Sequence, residues 1–228
     1  MHEGRKTTAA GEHALPACLT TMRDDDRSGE AFPWEEMLLA RLKVAREGLD
    51  RERAEAPGLC AELLALAPET RAGRIVDEVR FRTWGVCEEL LLLSSLDQDP
   101  ARAGHLASLA LGAADGLAEI HQPPLVNDLM ARAWSRLGTA RLQTGDLAGA
   151  EEALRAGALR LEEGTGDLLV DAVLLEFEAA VREARGELRE AASLLRQAEI
   201  RYKEVGETVF SARAARTRER VRRALNPE

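Results

Sequence analysis

Arg132 and Arg136 stand one helical turn apart in the stretch LVNDLMARAWSRLGTARLQTGD, and Thr139 and Gln143 continue the same stripe. A guanidinium presents a planar fork of N–H donors that matches a carboxylate, so two of them on one face could hold an acidic side chain or chain end through charge-assisted hydrogen bonds. Further along, Glu176 and Glu183 flank Phe177 and Ala180 at the corresponding positions of a later apolar segment. Such a mixed basic and acidic surface suits a peptide of mixed charge better than a nucleic acid. Asp128 also lies four residues before Arg132, the spacing of an exposed intrahelical ion pair worth only about 0.3–0.5 kcal/mol.

The remaining reactive residue types do not form patterns of catalysis. Of the four histidines, His2 and His13 fall in the polar N-terminal stretch, and neither His105 nor His121 has a metal-ligand or acid/base spacing. There is no Gly-rich phosphate loop and no G-x-S-x-G elbow. The expectation is a protein that is not an enzyme and takes no cofactor or metal. Cys18, Cys60 and Cys87 are odd in number and far apart, and the last two sit in apolar helical contexts that predict buried free thiols and a cytoplasmic location. The ALPACL segment is too short for a secretory signal, and the runs LCAELLALA and LLLL are far short of the roughly 18–20 residues of a membrane span.

A formal charge of −9 opposes attraction to nucleic acid or to an anionic membrane. Arg213, Arg216, Arg218, Arg220, Arg222 and Arg223 form a local exception, read as a solvated cap that pairs with acidic neighbours. Arg80, Arg82 and Trp84 form a second cationic cluster, in which Trp84 and, further on, Trp134 are expected in the core, because aromatics are only 4% of the chain. Trp34 is free of the repeats described below and could dock on a partner.

The elements that must position these residues are helices. With few aromatic and β-branched residues, the interior has to be filled by Leu, Ala and Val, alongside abundant Glu and Arg. Residues 1–30, with the acidic run Asp24–Asp26, lack any apolar period and read as a disordered tail. A helical cap is expected over 31–80: one helix from Pro33 to about Ala56, a fresh start at Pro57 that stops before Pro68, and another from Glu69 through Val79. The next helix is predicted to carry Phe81, Trp84, Cys87, Leu91 and Leu92 on one side. Asp99 and Pro100 open a helix with the small-residue face Ala103, Leu106, Ala107 and Ala110. A helix from about Leu125 to Thr144 ends where Gly145 accepts a left-handed conformation and Asp146 caps its successor. Gly186 and Glu187 repeat that turn, and the final helix runs from Thr208 to Leu225.

The segment WSRLGTARLQTGDLAGAEEALRAG resembles a tetratricopeptide repeat. Trp134 and Leu137 match the family's interhelix packing positions, Gly138 and Ala150 its close-approach positions and Leu154 its larger packing position, while Arg141 replaces the usual Tyr. The pattern recurs weakly at Ala103, Ala107 and Ala110 and again at Ala191, Leu195 and Ala198, with intervals of 47 and 41 residues instead of about 34. A looser likeness is to bacterial repeat proteins in which an RFRTWG-like segment precedes the hairpins. The resemblance implies an all-α solenoid of stacked antiparallel hairpins over residues 81–207, capped by 31–80 and 208–228, whose first helices line a concave surface. It also implies a non-catalytic adaptor or regulatory module that binds a protein or peptide, with Arg132, Arg136, Thr139, Gln143, Glu176 and Glu183 as the candidate contacts and homo-oligomers possible. The alternative is a sensory domain that responds to a small ligand or signal peptide and controls a separate effector.

Overall fold

The computed structural model describes residues 33–225, and the expected tail at 1–30 lies outside them. Nine α-helices and no strand occur among the described residues: α1 (Pro33–Ala65), α2 (Pro68–Asp77), α3 (Trp84–Leu96), α4 (Pro100–Asp115), α5 (Pro123–Gln143), α6 (Leu147–Glu162), α7 (Leu168–Ala184), α8 (Leu188–Glu204) and α9 (Thr208–Leu225). The chain divides into two units, Met1–Lys43 and Val44–Glu228. In the first, the described residues are the opening turns of α1, where Trp34, Met37, Leu38, Leu39 and Leu42 are exposed. The buried core lies in the second.

Four of the helices open with Pro in their first turn, where the missing N–H would have no helical acceptor and the fixed φ is already helical. Thr83, Asp99, Asp146 and Asp167 cap α3, α4, α6 and α7 by accepting from backbone N–H groups two or three residues on. Three junctions share one design. At Gly145, Gly186 and Gly206 the backbone turns to positive φ, and the following Asp146, Glu187 and Glu207 donate their N–H to the carbonyls of Arg141, Arg182 and Tyr202 at 2.8–2.9 Å. This left-handed closure stops each helix and reverses the chain within three residues.

Several boundaries differ from the sequence reading. Pro57 does not start a new helix. It lies inside α1 on an exposed face, while Ala56, Cys60 and Leu63 on the buried face hold both flanking turns to one core. The helix expected to reach Val79 stops at Asp77, since only Ile75 of α2 is buried and Val76 and Val79 face solvent. Phe81 is not part of α3; it is fully buried in a short 3-10 turn, because the Thr83 hydroxyl caps the Val86 N–H and starts the helix later. Leu92, expected on the buried side, is exposed.

From α3 onward, helices that follow one another run antiparallel. Ser94 donates to the Ala103 carbonyl across α3 and α4, Arg141 reaches the Gly149 carbonyl across α5 and α6, and Arg201 pairs with Asp171 across α7 and α8. Alternate helices run parallel: Arg213 and Arg220 of α9 meet Glu176 and Glu183 of α7 at the same offset of 37 residues. From α3 onward the architecture is therefore repeat-like, each helix packing on its next one or two successors.

Burial follows the small residues. Ala103, Leu106, Ala107 and Ala110 of α4 are buried, as are Ala150 of α6 and Ala191, Leu195 and Ala198 of α8. A large cluster joins Leu63, Phe81, Val86, Leu90, Leu109, Leu117 and Leu129, and a smaller one joins Ala150, Ala153, Leu174, Phe177 and Val181. Trp134 is half-buried and packs against both, while Leu154 packs on the smaller cluster. At about 1.5–3 kcal/mol for each large apolar side chain removed from water, these two clusters supply the main cohesive force.

Candidate functional site

The candidate site is built on the side of the molecule formed by the end of α3 and by α5, α7 and α9. A helical period brings Arg136, Thr139 and Gln143 of α5 to one stripe, and the turn between α3 and α4 faces them with Ser95, Asp97 and Gln98. Together these residues line a polar cleft of about 390 Å³. On the other flank of the same stripe, Ser135, Arg136 and Thr139 face Val173, Glu176, Phe177 and Ala180 of α7 and Arg213 of α9 across a cleft of about 230 Å³. Arg136 and Thr139 belong to both.

Arg136 is half-buried between the clefts. Its Nη2 donates to the Ser94 carbonyl at 2.8 Å, which anchors α5 to α3, but its Nε is buried and has no partner in the protein. Burial, and after it the positive charge of Arg213, pulls its pKa below the usual guanidinium range. Beside it the Ser135 hydroxyl is also buried without a partner. Two unmet buried donors side by side are a local cost to the fold. The Thr139 hydroxyl is satisfied, donating to the Ser135 carbonyl at 2.7 Å.

The acidic candidates are already engaged. Glu176 accepts from the Tyr202 hydroxyl at 2.6 Å and from Arg213, while its side chain still borders the smaller cleft. Glu183 pairs with Arg220 of α9 and lines neither cleft. Arg132 is half-buried, lines neither cleft, and exerts its charge on Glu88. The structure thus brings Arg136, Thr139, Gln143 and Glu176 to one surface and leaves Arg132 and Glu183 beside it.

Two local expectations fail. Phe177 is no exposed stripe residue: its ring is buried over Gly138, where a Cβ would overlap it, because the glycine removes the atom that would keep α5 and α7 apart. Asp128 is not held in an exposed pair with Arg132. It is buried and accepts from the Thr165 backbone N–H at 3.1 Å and from the Thr165 hydroxyl, tying α5 to the turn between α6 and α7. Trp84, as expected, packs on the large cluster, with His121 edge-on at 5.6 Å between ring centroids.

Ser135, Arg213 and the Ser95–Gln98 turn were missed as site residues. Their signal is register. The Gly206–Glu207 turn ends α8, and the alternation of helices then sets α9 beside α7, where Arg213 meets Glu176 and faces the stripe.

Comparison with known protein families, with curated proteins and with solved structures finds no match. No helix among the described residues is long and apolar enough to cross a membrane, and no group of His, Cys, Asp and Glu there is arranged to hold a metal.

Proposed function

We propose that this chain is a non-catalytic, cytoplasmic protein- or peptide-binding module, a tetratricopeptide-like solenoid whose α3, α5, α7 and α9 line its recognition groove. The observation that carries the reading is Arg136: one guanidinium shared by two adjoining clefts, with its Nε and the neighbouring Ser135 hydroxyl unmet. An extended segment bearing a carboxylate would pair with the Arg136 guanidinium from either cleft, with Gln143 and Gln98 at hand for its backbone. Because the groove is held by helix packing, little of its own conformational entropy is lost on binding.

The test is selection of displayed peptides on the full chain, followed by affinity measurement with Thr139→Glu and Gln143→Glu variants whose helix content and melting temperature match the wild type. Enrichment of acidic peptides that bind at least about tenfold more weakly to either variant, as loss of a charge-assisted hydrogen bond requires, supports the groove. Peptides that bind all three proteins equally, or no enrichment, remove it.

A second reading, ligand sensing, is favoured by a different cleft. Leu64, Leu93, Leu96 and Leu106 form an apolar wall of a space of about 430 Å³ that also holds Arg71, Arg102, Asp97 and His105. The His105 Nε2 is buried there without a partner. Apolar walls with a few convergent polar groups are the usual form of a small-molecule site. Ligand-dependent thermal stabilisation that disappears in His105→Phe would support this reading over the groove.

A further inference from the structure

Four arginines meet in one cleft between α8 and α9. Arg189 and Arg196 project from α8, Arg218 and Arg222 from α9, and together with Ala192, Ser193 and Leu225 they line a space of about 490 Å³. The antiparallel packing of these helices places the start of α8 beside the end of α9, which brings Arg189 near Arg222 and Arg196 near Arg218.

Elsewhere on α9, Arg213 takes Glu176, Arg220 takes Glu183 and Arg223 takes Glu219, while Arg216 is left without an ion pair among the described residues. In the cleft the balance is different. The acidic group at its border is Glu199, which is buried and already shared between Lys203 at 2.6 Å and Arg218 at 3.0 Å, with Arg196 adding its field. Its single charge is divided between the lysine and Arg218, which leaves Arg189, Arg196 and Arg222 without an ion pair among the described residues that line the space. Arg189 and Arg222 have no hydrogen-bond or ion-pair partner among the described residues. Arg218 has a buried Nε that no acceptor meets, even though its Nη1 reaches Glu199.

We propose that this cleft binds a soluble polyphosphate group, a diphosphate or triphosphate, independently of the groove on α5 and α7. Like charges gathered in one space repel, and a multivalent anion relieves that repulsion. Arg189 and Arg196 lie two helical turns apart, about 10 Å along the axis, a span longer than a single phosphate and suited to a chain of them. The apolar floor of Ala192 and Leu225 and the Ser193 hydroxyl leave room for bidentate contacts from both helices.

The experiment is isothermal titration of the full chain with inorganic tripolyphosphate, pyrophosphate and sulfate at constant ionic strength. Arg189→Gln and Arg222→Gln remove side chains that make no internal bond, so the fold is spared. Arg155→Gln, on an exposed part of α6, is the remote control. The expected result is one tripolyphosphate bound per chain, more tightly than sulfate, roughly tenfold more weakly in each cleft variant, and unchanged in the control. No binding overturns the proposal, as does equal weakening in all three variants. Single-stranded oligonucleotide or phosphoinositide-containing vesicles bound at least tenfold more tightly than tripolyphosphate would replace the small anion by a macromolecular or lipid surface and overturn it as well.

Discussion

Gly138 of α5 lies directly under the ring of Phe177 in α7, close enough that any side chain at position 138 would occupy the ring's place. Two parallel helices are thereby held at a distance set by a hydrogen atom. Gly138→Ala gains about 1 kcal/mol of helix propensity but overpacks a buried contact, at a cost of about 1–3 kcal/mol or more. Net destabilisation is expected in urea unfolding, with recovery in the double variant Gly138→Ala/Phe177→Leu. Equal stability of Gly138→Ala and wild type would mean that the helices separate freely.

Asp128 and Arg132 separate two roles that sequence spacing merges. Asp128→Ala strips the Thr165 N–H and hydroxyl of their acceptor in a buried place, so a loss of about 1–3 kcal/mol is expected. Arg132→Ala should change stability by less than about 0.5 kcal/mol. Chemical denaturation of both variants measures the contrast directly.

Tyr202 is the sole tyrosine of the chain, which makes its phenol a reporter. Burial first, and then the hydrogen bond to Glu176, push its pKa well above the ordinary value of 10.0. A raised folded pKa means stability that is full below the unfolded value and is lost as pH rises through the folded one. Tyrosinate absorbance should therefore be missing just above pH 10 and emerge together with the loss of helix circular dichroism.

His105 acts at the opposite end of the scale. Burial, followed by the charge of Arg71, lowers its pKa below 6.5, so the unfolded chain takes up the proton more readily as pH falls. Its contribution is present above the unfolded pKa and is lost as pH falls through the folded one. His105→Gln should flatten the decline of melting temperature on acidification below pH 6.5, while wild type keeps the steeper slope.

Cys60 and Cys87 are buried, and burial pushes the Cys60 thiol up to about 12 and the Cys87 thiol up as well. In a Cys18→Ser background, a thiol reagent should label neither residue before unfolding and both in denaturant.

Local chemistry was legible wherever a turn decides it. Gly145 and Asp146 announce a helix end and a cap, and Thr208–Leu225 is the helix its periodicity describes. Pro57 misled because a proline's lost hydrogen bond is a local cost, whereas the burial of Ala56 and Cys60 around it is a tertiary gain. Phe177 and Asp128 misled for a related reason: each is positioned by a residue in another helix or turn, Gly138 and Thr165, and helical spacing reports only neighbours three or four residues away. At the candidate site the α5 stripe could be read from its period. Arg213 could not, since its place depends on the 37-residue offset between α7 and α9.

That nearest-neighbour packing also governs how the chain reaches its folded state. Each helix from α4 onward closes on a partner that emerged just before it, so the loops that must be closed are short and contact order is low. Folding should proceed progressively from the amino end during synthesis, each new helix settling on the one already in place, with no need to wait for the last residues of the chain.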